Sequence, residues 1–196
     1  MEYQQRRKIQ AEQTRRDILD AVKDLTKERG FEHVTVRDIC QRAGITTGAF
    51  YHHFPSKEAL LDQGFDSMDA HLERAMSGRE DLPPMERLDL LMREYAGFMT
   101  ELGWETVALY YARRISDPGA ASMSPNRYTL RAMLECLTQM RREGALSPGH
   151  SPEWVAELFF RHFRGTVIDW VLHRGAYPLW PKFQQDFQLF DQVFHA

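Results

Sequence analysis

The sequence of 196 residues predicts an all-α fold. Apolar residues recur at spacings of three and four through most of the chain, as they do when one side of a helix is buried. No segment shows the apolar and polar alternation of a half-buried strand. Breaks rich in glycine, proline and serine separate the apolar segments, near 83–84, 117–125, 147–152 and 175–181. We therefore expect three N-terminal helices followed by a domain of about six.

Composition indicates a globular protein with its own core. Hydrophobic residues make up 43% of the chain and aromatic residues 12%, which is enough to bury a core at this length. Cys40 and Cys136 lie far apart without a CxxC spacing, so we expect neither a disulfide framework nor a metal site. Because no apolar run approaches about 18 residues and no apolar signal region follows the N-terminus, we expect a cytoplasmic protein with no membrane partner.

Charge is distributed unevenly along the chain. The formal net charge is −3, but residues 1–60 hold 11 basic and 9 acidic residues, whereas residues 61–196 hold 14 and 19. Most of the N-terminal excess lies in a leading basic arm. The arm is either a solvated tail or a nucleic-acid contact. Its basic residues are Arg6, Arg7, Lys8, Arg15 and Arg16.

The first three helices have recognisable start and stop signals. Thr14, followed by Asp17, resembles an N-cap, so we expect the first helix to begin there and to end at the glycine C-cap Gly30. Thr35 with Asp38 predicts the start of the second helix. This helix ends at Gly44, a residue suited to a left-handed turn, and Thr46 then caps the third helix. Pro55 ends the third helix, and Ser56 is expected to cap the fourth.

The third helix has an aromatic side and a polar side. At about 100° per residue, Phe50 and Phe54 project toward the core. Thr47, Gly48, Tyr51 and His52 share the other side. Gly48 costs about 1 kcal/mol relative to alanine in a helix, which is explained if a partner must approach the backbone closely. Two helices joined by a glycine turn, the second with a polar face, describe a helix-turn-helix that enters the DNA major groove.

The run T-x-x-x-I-C-x-x-A-G-I-T-x-G-x-x-Y-x-H-F-x-x-K-x-x-L, from Thr35 to Leu60, resembles the signature of tetracycline-repressor-type (TetR) regulators. With the first helix the resemblance covers roughly residues 12–60. Cys40 stands where alanine is usual and Thr46 where serine is common, and both are small enough to keep the fold. The resemblance implies a DNA-binding domain over residues 1–60 and a helical ligand-binding and dimerisation domain over residues 61–196.

The resemblance also implies roles in DNA binding, and the chemistry agrees with them. Phosphate contacts fall on Thr35, Tyr51 and Lys57, which would fix register without reading sequence. Base-edge contacts fall on Arg37 of the second helix and on Thr47, Gly48, Ala49 and His52, with Thr46 beside them. Arginine can bond guanine O6 and N7, and threonine and alanine methyl groups can contact the thymine methyl group.

Aromatic and methionine residues form stripes in the second domain. Such stripes are usually core, but they also suit adaptable cavities for flat or cationic molecules. The candidates for an effector site are Met68, Tyr95, Met99, Trp104, Tyr110, Met133 and Leu137. Arg113 and Arg114 could counter an anionic ligand, although a solvated surface is the alternative. The sequence does not name the ligand.

The last two predicted helices, near 153–174 and 182–194, spread apolar residues over more than one face, as a helix does that packs on its own domain and on a partner. The alternative is that all of them are core. The residues that predict a dimer interface are Phe159, Phe163, Gly165, Trp170, Phe183, Phe187, Phe190 and Phe194.

These observations predict a transcriptional regulator, a repressor that binds a palindromic operator as a homodimer and is released by a small-molecule effector. Activation is the alternative mode. An enzyme is disfavoured because the chain has no GxSxG, no phosphate-cradling glycine loop and no HExxH, so we expect no catalytic residue, no metal and no cofactor. A protein-binding helical scaffold is disfavoured because the third helix offers no apolar anchors on its outer side.

Overall fold

A computed structural model of the chain describes residues 2–116 and 127–194. Within these ranges the fold is all-α, with nine α-helices, one short 3₁₀ helix at Phe31–His33 and no strand, which confirms the predicted class. The predicted break at 117–125 lies outside them. The helices are α1 (Glu2–Arg29), α2 (Val36–Ala43), α3 (Thr47–His53), α4 (Ala59–Met76), α5 (Pro84–Leu102), α6 (Trp104–Ser116), α7 (Tyr128–Arg142), α8 (Pro152–Leu172) and α9 (Leu179–Phe194).

The chain forms two compact units, residues 1–66 and residues 67–196. The division falls inside α4, whereas the sequence predicted a boundary after residue 60. In the first unit α1 packs along α2, and α2 contacts α3. Two ion pairs join α1 to α2, from Arg42 to Glu28 at 2.9 Å and from Arg29 to Asp38 at 3.0 Å. The buried side chains between these helices are Ile18, Leu25, Phe31, Ile39, Phe50 and Phe54.

The first helix is longer than predicted. It begins at Glu2, and Thr14 is not its N-cap but an interior residue whose hydroxyl donates to the carbonyl oxygen of Gln10 at 3.0 Å. Threonine inside a helix commonly bonds back to the carbonyl four residues earlier. The preceding arm is rich in Gln, Arg, Lys, Ala and Glu, which are good helix formers, so nothing in it stops the helix. The basic arm is therefore helical.

The second unit is built around α5, α7 and α8. The helix α5 packs against α6, α7 and α9, and α8 likewise packs against α6, α7 and α9. Aromatic rings fill the space between α5, α8 and α9, because Phe163 lies edge-on to Tyr95 at 4.8 Å and to Phe183 at 4.5 Å between ring centroids. None of the helices in the described part of the chain is both long and apolar enough to cross a bilayer.

The last helix begins at Leu179, earlier than the position near 182 that the sequence predicted. Pro181 was interpreted as the end of the preceding break. It lies instead in the first turn of α9, where the missing N–H of proline has no intrahelical partner to lose.

Candidate DNA-binding face and effector cavity

The start of α2 is fixed by a reciprocal cap. The Thr35 hydroxyl oxygen accepts from the Asp38 backbone N–H at 3.2 Å, and Asp38 Oδ2 accepts from the Thr35 N–H at 2.9 Å and its hydroxyl at 2.6 Å. These bonds, first from the hydroxyl and then from the N–H, lower the pKa of Asp38 to about 2 from an ordinary 3.8. A lowered carboxyl pKa stabilises the fold above pH about 4, and this contribution is lost as the pH falls through about 2.

The turn between α2 and α3 follows the predicted chemistry. Gly44 has φ 66°, in the left-handed region that glycine adopts without strain, and the Ile45 N–H donates to the Cys40 carbonyl oxygen at 3.0 Å. The Thr46 hydroxyl oxygen accepts from the Ala49 N–H at 3.1 Å, which caps α3. The turn therefore holds the two helices in a helix-turn-helix.

The helix α3 is held by one side and leaves the other exposed. Phe50 and Phe54 are buried, with 0% and 1% of their surface exposed, whereas Tyr51 is 54% exposed. A Cβ added at Gly48 would meet only the Thr46 hydroxyl, at 3.9 Å. No described residue therefore requires glycine there, and the backbone of α3 is open to a partner.

The position of Lys57 gives it a role within the first unit. Its Nζ donates to the carbonyl oxygens of Phe31 and Val34, both at 3.1 Å, and lies 4.6 Å from the centre of the Phe31 ring. Lys57 thus ties the segment before α4 to the connection between α1 and α2. A third N–H of the ammonium group remains for another acceptor.

Replacing Lys57 by alanine is expected to change stability and DNA affinity together. The variant removes the ammonium donor from the carbonyl oxygens of Phe31 and Val34, and among the described residues only the Phe31 oxygen keeps another donor, the Val34 N–H at 3.1 Å. We expect a cost of about 1–3 kcal/mol of unfolding free energy. If Lys57 also binds a phosphate, the salt slope falls by about 0.9. Urea unfolding and binding titrations at several salt concentrations measure the two effects. The exposed Lys27→Ala is the matched control and should change neither. A salt slope equal to that of the parent would refute the phosphate contact.

A cavity of about 410 Å³ lies in the second unit. Its wall carries three tyrosines, four arginines and several apolar side chains from α4 to α8. The lining residues are Met68, Tyr95, Tyr110, Tyr111, Arg114, Ile115, Arg127, Thr129, Phe160, Arg161, Arg164, Gly165 and Ile168. Burial is the main cause that raises the pKa values of Tyr95 and Tyr111, so both phenols stay neutral and can donate hydrogen bonds.

One wall of the cavity is the first turn of α7. Arg127 Nε lies 2.8 Å from Asp69 Oδ2, which fixes the guanidinium against α4. Thr129 is 1% exposed, and its hydroxyl has no hydrogen-bond partner among the described residues. A buried hydroxyl without a partner is costly, so the Thr129 hydroxyl is suited to bond a polar group that enters the cavity.

One side of α8 exposes three apolar side chains, with the ion pair of Arg161 and Glu157 between them. Trp154, Ile168 and Leu172 are 46%, 40% and 75% exposed. At about 100° per residue they lie within one narrow stripe, with Gly165 between them. A Cβ at Gly165 would meet no described atom within 4 Å. Gly165 and Ile168 also line the cavity described above, so the cavity reaches this side of α8. Leu189 on α9 is also exposed, at 63%. We call Trp154, Gly165, Ile168, Leu172 and Leu189 the α8–α9 stripe.

Comparison with known proteins decides the family. Residues 18–63 match the model of bacterial regulatory proteins, tetR family. The HTH-type transcriptional repressor KstR2 of Rhodococcus jostii (strain RHA1) is 40% identical over 174 residues, which cover 84% of this chain and 80% of that protein. The chain belongs to the TetR family of transcriptional regulators.

Further similarities agree with the TetR family. The HTH-type transcriptional regulator TtgR of Pseudomonas putida is 36% identical over 181 residues, or 85% of this chain and 84% of that protein. A solved structure described as the molecular basis for control of antibiotic production by bacterial hormones has a TM-score of 0.72 at 25% identity, covering 94% of this chain and 98% of its own. The predicted family and the predicted class, a DNA-binding regulator, are confirmed.

In this TetR-family chain the predicted DNA contacts lie on or beside the exposed side of the helix-turn-helix. Thr35, Arg37, Thr46, Thr47, Gly48, Tyr51 and His52 are exposed, and Ala49 and Lys57 are half-buried. The hydroxyl of Thr35 is used by the cap of α2, as the sequence predicted. The ammonium of Lys57 is used by two carbonyls, an internal role that the sequence did not reveal. Contact of any of these residues with DNA stays a prediction.

The predicted effector residues of this TetR-family chain separate into two groups. Met68, Tyr95 and Tyr110 line the cavity. Met99, Met133 and Leu137 are fully buried, and Trp104 lies against Gly175, so these four are not among its lining residues. Of the two arginines that the sequence offered for an anion, Arg114 lines the cavity and Arg113 does not. Arg127, which precedes α7, and Arg161 and Arg164 of α8 were missed because only the packing of the helices brings them to one cavity.

The residues predicted for a TetR-family dimer interface mostly belong to the core of one protomer. Phe159, Phe163 and Phe183 are 0% exposed, and Trp170 and Phe187 are 4% and 7% exposed. They already contact α5, α8 or α9 and have almost no surface left for a partner. Phe190 is half-buried, Gly165 is exposed, and the side chain of Phe194 lies outside the described part. The candidate surface for a dimer is therefore the α8–α9 stripe.

Proposed function

We propose that the protein is a repressor that binds a palindromic operator as a homodimer and is released by a small-molecule effector, acting in the cytoplasm. The observation that carries the proposal is α3, which is anchored by Phe50 and exposes Thr47, Gly48 and Tyr51. A relative that is 40% identical is itself named a repressor. An open glycine and small polar side chains allow a helix to approach base edges closely.

Homodimerisation is supported by the α8–α9 stripe. Single exposed apolar residues are common on protein surfaces, but three of them on one side of α8, with Leu189 on α9, favour an interaction site. A two-fold contact would use the same stripe on both copies, and the open Gly165 would let two helices cross closely. Two recognition helices related by that axis would read half-sites about 34–36 Å apart.

Release by an effector is supported by the cavity. Its volume of about 410 Å³ falls in the range of about 300–1,000 Å³ that small-molecule sites occupy. A ligand that binds the free and the DNA-bound protein equally well does not change the equilibrium between them. The effector must therefore bind the free protein more tightly. A ligand with equal affinity for the two would contradict release and leave DNA binding intact.

Selection of bound fragments from genomic DNA tests the DNA-binding function and supplies the operator. We expect a palindromic sequence whose affinity falls steeply with salt. Arg37→Ala should then relax preference at one base position and cost about 1–3 kcal/mol of binding free energy. Arg142→Ala, an exposed arginine of α7, is the control and should leave affinity and preference unchanged. No enrichment of any sequence would contradict the proposal, and an unchanged preference in Arg37→Ala would contradict the base contact.

A further inference from the structure

We infer that the cavity of the second unit takes an organic carboxylate with an apolar body, its carboxylate lying at the first turn of α7 beside Arg127, Thr129 and Arg164. The inference rests on the proposed effector role and names the class of effector. It depends on three features of the cavity, which are its charge, an unsatisfied buried hydroxyl and the apolar remainder of the wall.

The charge of the wall has one sign. Four of the lining residues are arginines, and no carboxylate is among the lining residues described. Asp69 pairs with Arg127 at 2.8 Å and Glu157 with Arg161 at 3.8 Å, so two of these charges are partly offset by carboxylates that do not line the cavity. Arginine keeps its charge at any pH of interest and has five N–H donors in a planar fork, so a guanidinium that has one partner can still bond an oxyanion. The same charges repel cations and so disfavour the cationic ligands that an aromatic-rich cavity would otherwise suit.

The first turn of α7 provides the place for the anion. The first N–H groups of a helix have no intrahelical acceptor and carry partial positive charge, and no side chain caps α7. Thr129 is in this turn, is 1% exposed and has an unpartnered hydroxyl. A carboxylate oxygen accepts from such a hydroxyl, which removes the penalty of the unpaired group. The unpartnered Thr129 hydroxyl therefore indicates, independently of the arginines, that the ligand carries a hydrogen-bond acceptor.

The rest of the wall is apolar and leaves room for a hydrocarbon or aromatic body. Met68, Phe160 and Ile168 line it, together with tyrosine rings whose phenols are neutral. The Arg164 guanidinium lies 4.9 Å from the centre of the Phe160 ring, so this arginine is held between the apolar and the charged parts. A small inorganic anion would leave the apolar wall in contact with water. An amphipathic carboxylate satisfies both parts.

Calorimetric titration of the full chain without DNA tests the class directly. Decanoate and decan-1-ol share the same chain and differ in the head group, so their comparison isolates the charge. We expect decanoate to bind at least about tenfold more tightly, the effect of one or two charge-assisted hydrogen bonds. Equal affinities, tighter binding of the alcohol, or no binding of decanoate below about 1 mM would each overturn the inference.

Two variants test the place of the carboxylate. Arg164→Gln should weaken decanoate binding about tenfold and Thr129→Val at least about threefold, because each removes a donor to a charged group, while decan-1-ol binding stays unchanged. Arg131→Gln, an exposed arginine on the same helix as Thr129, is the control. Tryptophan fluorescence verifies folding, since all four tryptophans lie in this unit. Parental decanoate affinity in both variants would refute the assigned place.

A separate measurement distinguishes this inference from the proposed function. Decanoate is titrated into the complex of protein and selected operator. Binding to the protein without release of DNA would support the ligand class and contradict the effector role. A protein that binds decanoate but enriches no DNA sequence would contradict the repressor and again support the ligand class.

Discussion

We expect Leu172→Glu combined with Leu189→Glu to give a folded monomer whose operator affinity is about 10²–10⁴-fold lower. Both side chains are mostly exposed in the protomer, at 75% and 63%, so glutamate there costs the isolated fold little. In a dimer the two carboxylates would be buried against an apolar surface without partners, which is strongly unfavourable. A monomer binds one half-site only and loses the gain from linked sites.

Sedimentation and operator binding measure the two effects. Arg142→Glu, which also places a carboxylate on an exposed helix face of the second unit, is the control and should remain a dimer on its operator. Glutamate at Phe187 should unfold this unit instead, because that ring is 7% exposed and packs against Phe159 at 5.4 Å. A Leu172→Glu, Leu189→Glu protein that sediments as a dimer and binds its operator would place the interface elsewhere.

Alanine at two adjacent aromatic positions should have opposite consequences. Phe50→Ala removes a fully buried ring from the first unit and is expected to cost about 3–5 kcal/mol of unfolding free energy, with loss of DNA binding because α3 is no longer anchored. Tyr51→Ala removes an exposed ring that touches Phe50 edge-on at 5.3 Å, so about 1 kcal/mol or less is lost. Its DNA affinity should nevertheless fall for specific and random sequences alike.

Hydrogen exchange of the amides in α2 and α3 measures the stability of this unit, because its residues include no tryptophan that fluorescence could follow. Tyr51→Phe is the control for the phosphate contact, since it keeps the ring and removes only the hydroxyl. Its stability should equal that of the parent, and its DNA affinity should equal that of Tyr51→Ala. If Tyr51→Phe bound DNA as tightly as the parent, the Tyr51 hydroxyl would not be part of the phosphate contact.

The helix-turn-helix could be predicted closely because its signals are local. The caps at Thr35 and Thr46 and the left-handed Gly44 act within a few residues, and the structure has all three where the sequence placed them. The same type of signal was wrong at Thr14, because a threonine also fits inside a helix when the residues before it favour one. A cap residue predicts a start only where the preceding chain cannot continue the helix.

The cavity and the interface could not be predicted to the same degree because both depend on which helices meet. The spacing of apolar residues predicts that both Met99 and Tyr95 are buried. Only the packing of α5 against its neighbours determines that Tyr95, and not Met99, lines the cavity. The phenylalanines of α8 and α9 predicted a partner, and the partner of Phe159 and Phe163 proved to be the same protomer. Leu172 and Leu189 remain exposed on the protomer, and only the arrangement of the helices separates them from the buried phenylalanines.

The continuous first helix changes how the basic arm reaches its surroundings. At 1.5 Å per residue the 28 residues of α1 form a rod about 42 Å long, and Arg7 stands about 16 Å along it from the buried Ile18. A coiled tail would lose conformational entropy of about 1–2 kcal/mol for each residue that it orders on a phosphate backbone. A helix has already lost this entropy during folding. Its basic side chains are therefore held at a fixed distance and angle from the core of the first unit. Each residue inserted between Arg7 and Ile18 would rotate the arm by about 100° about the helix axis. Its positive charges would then face a different side.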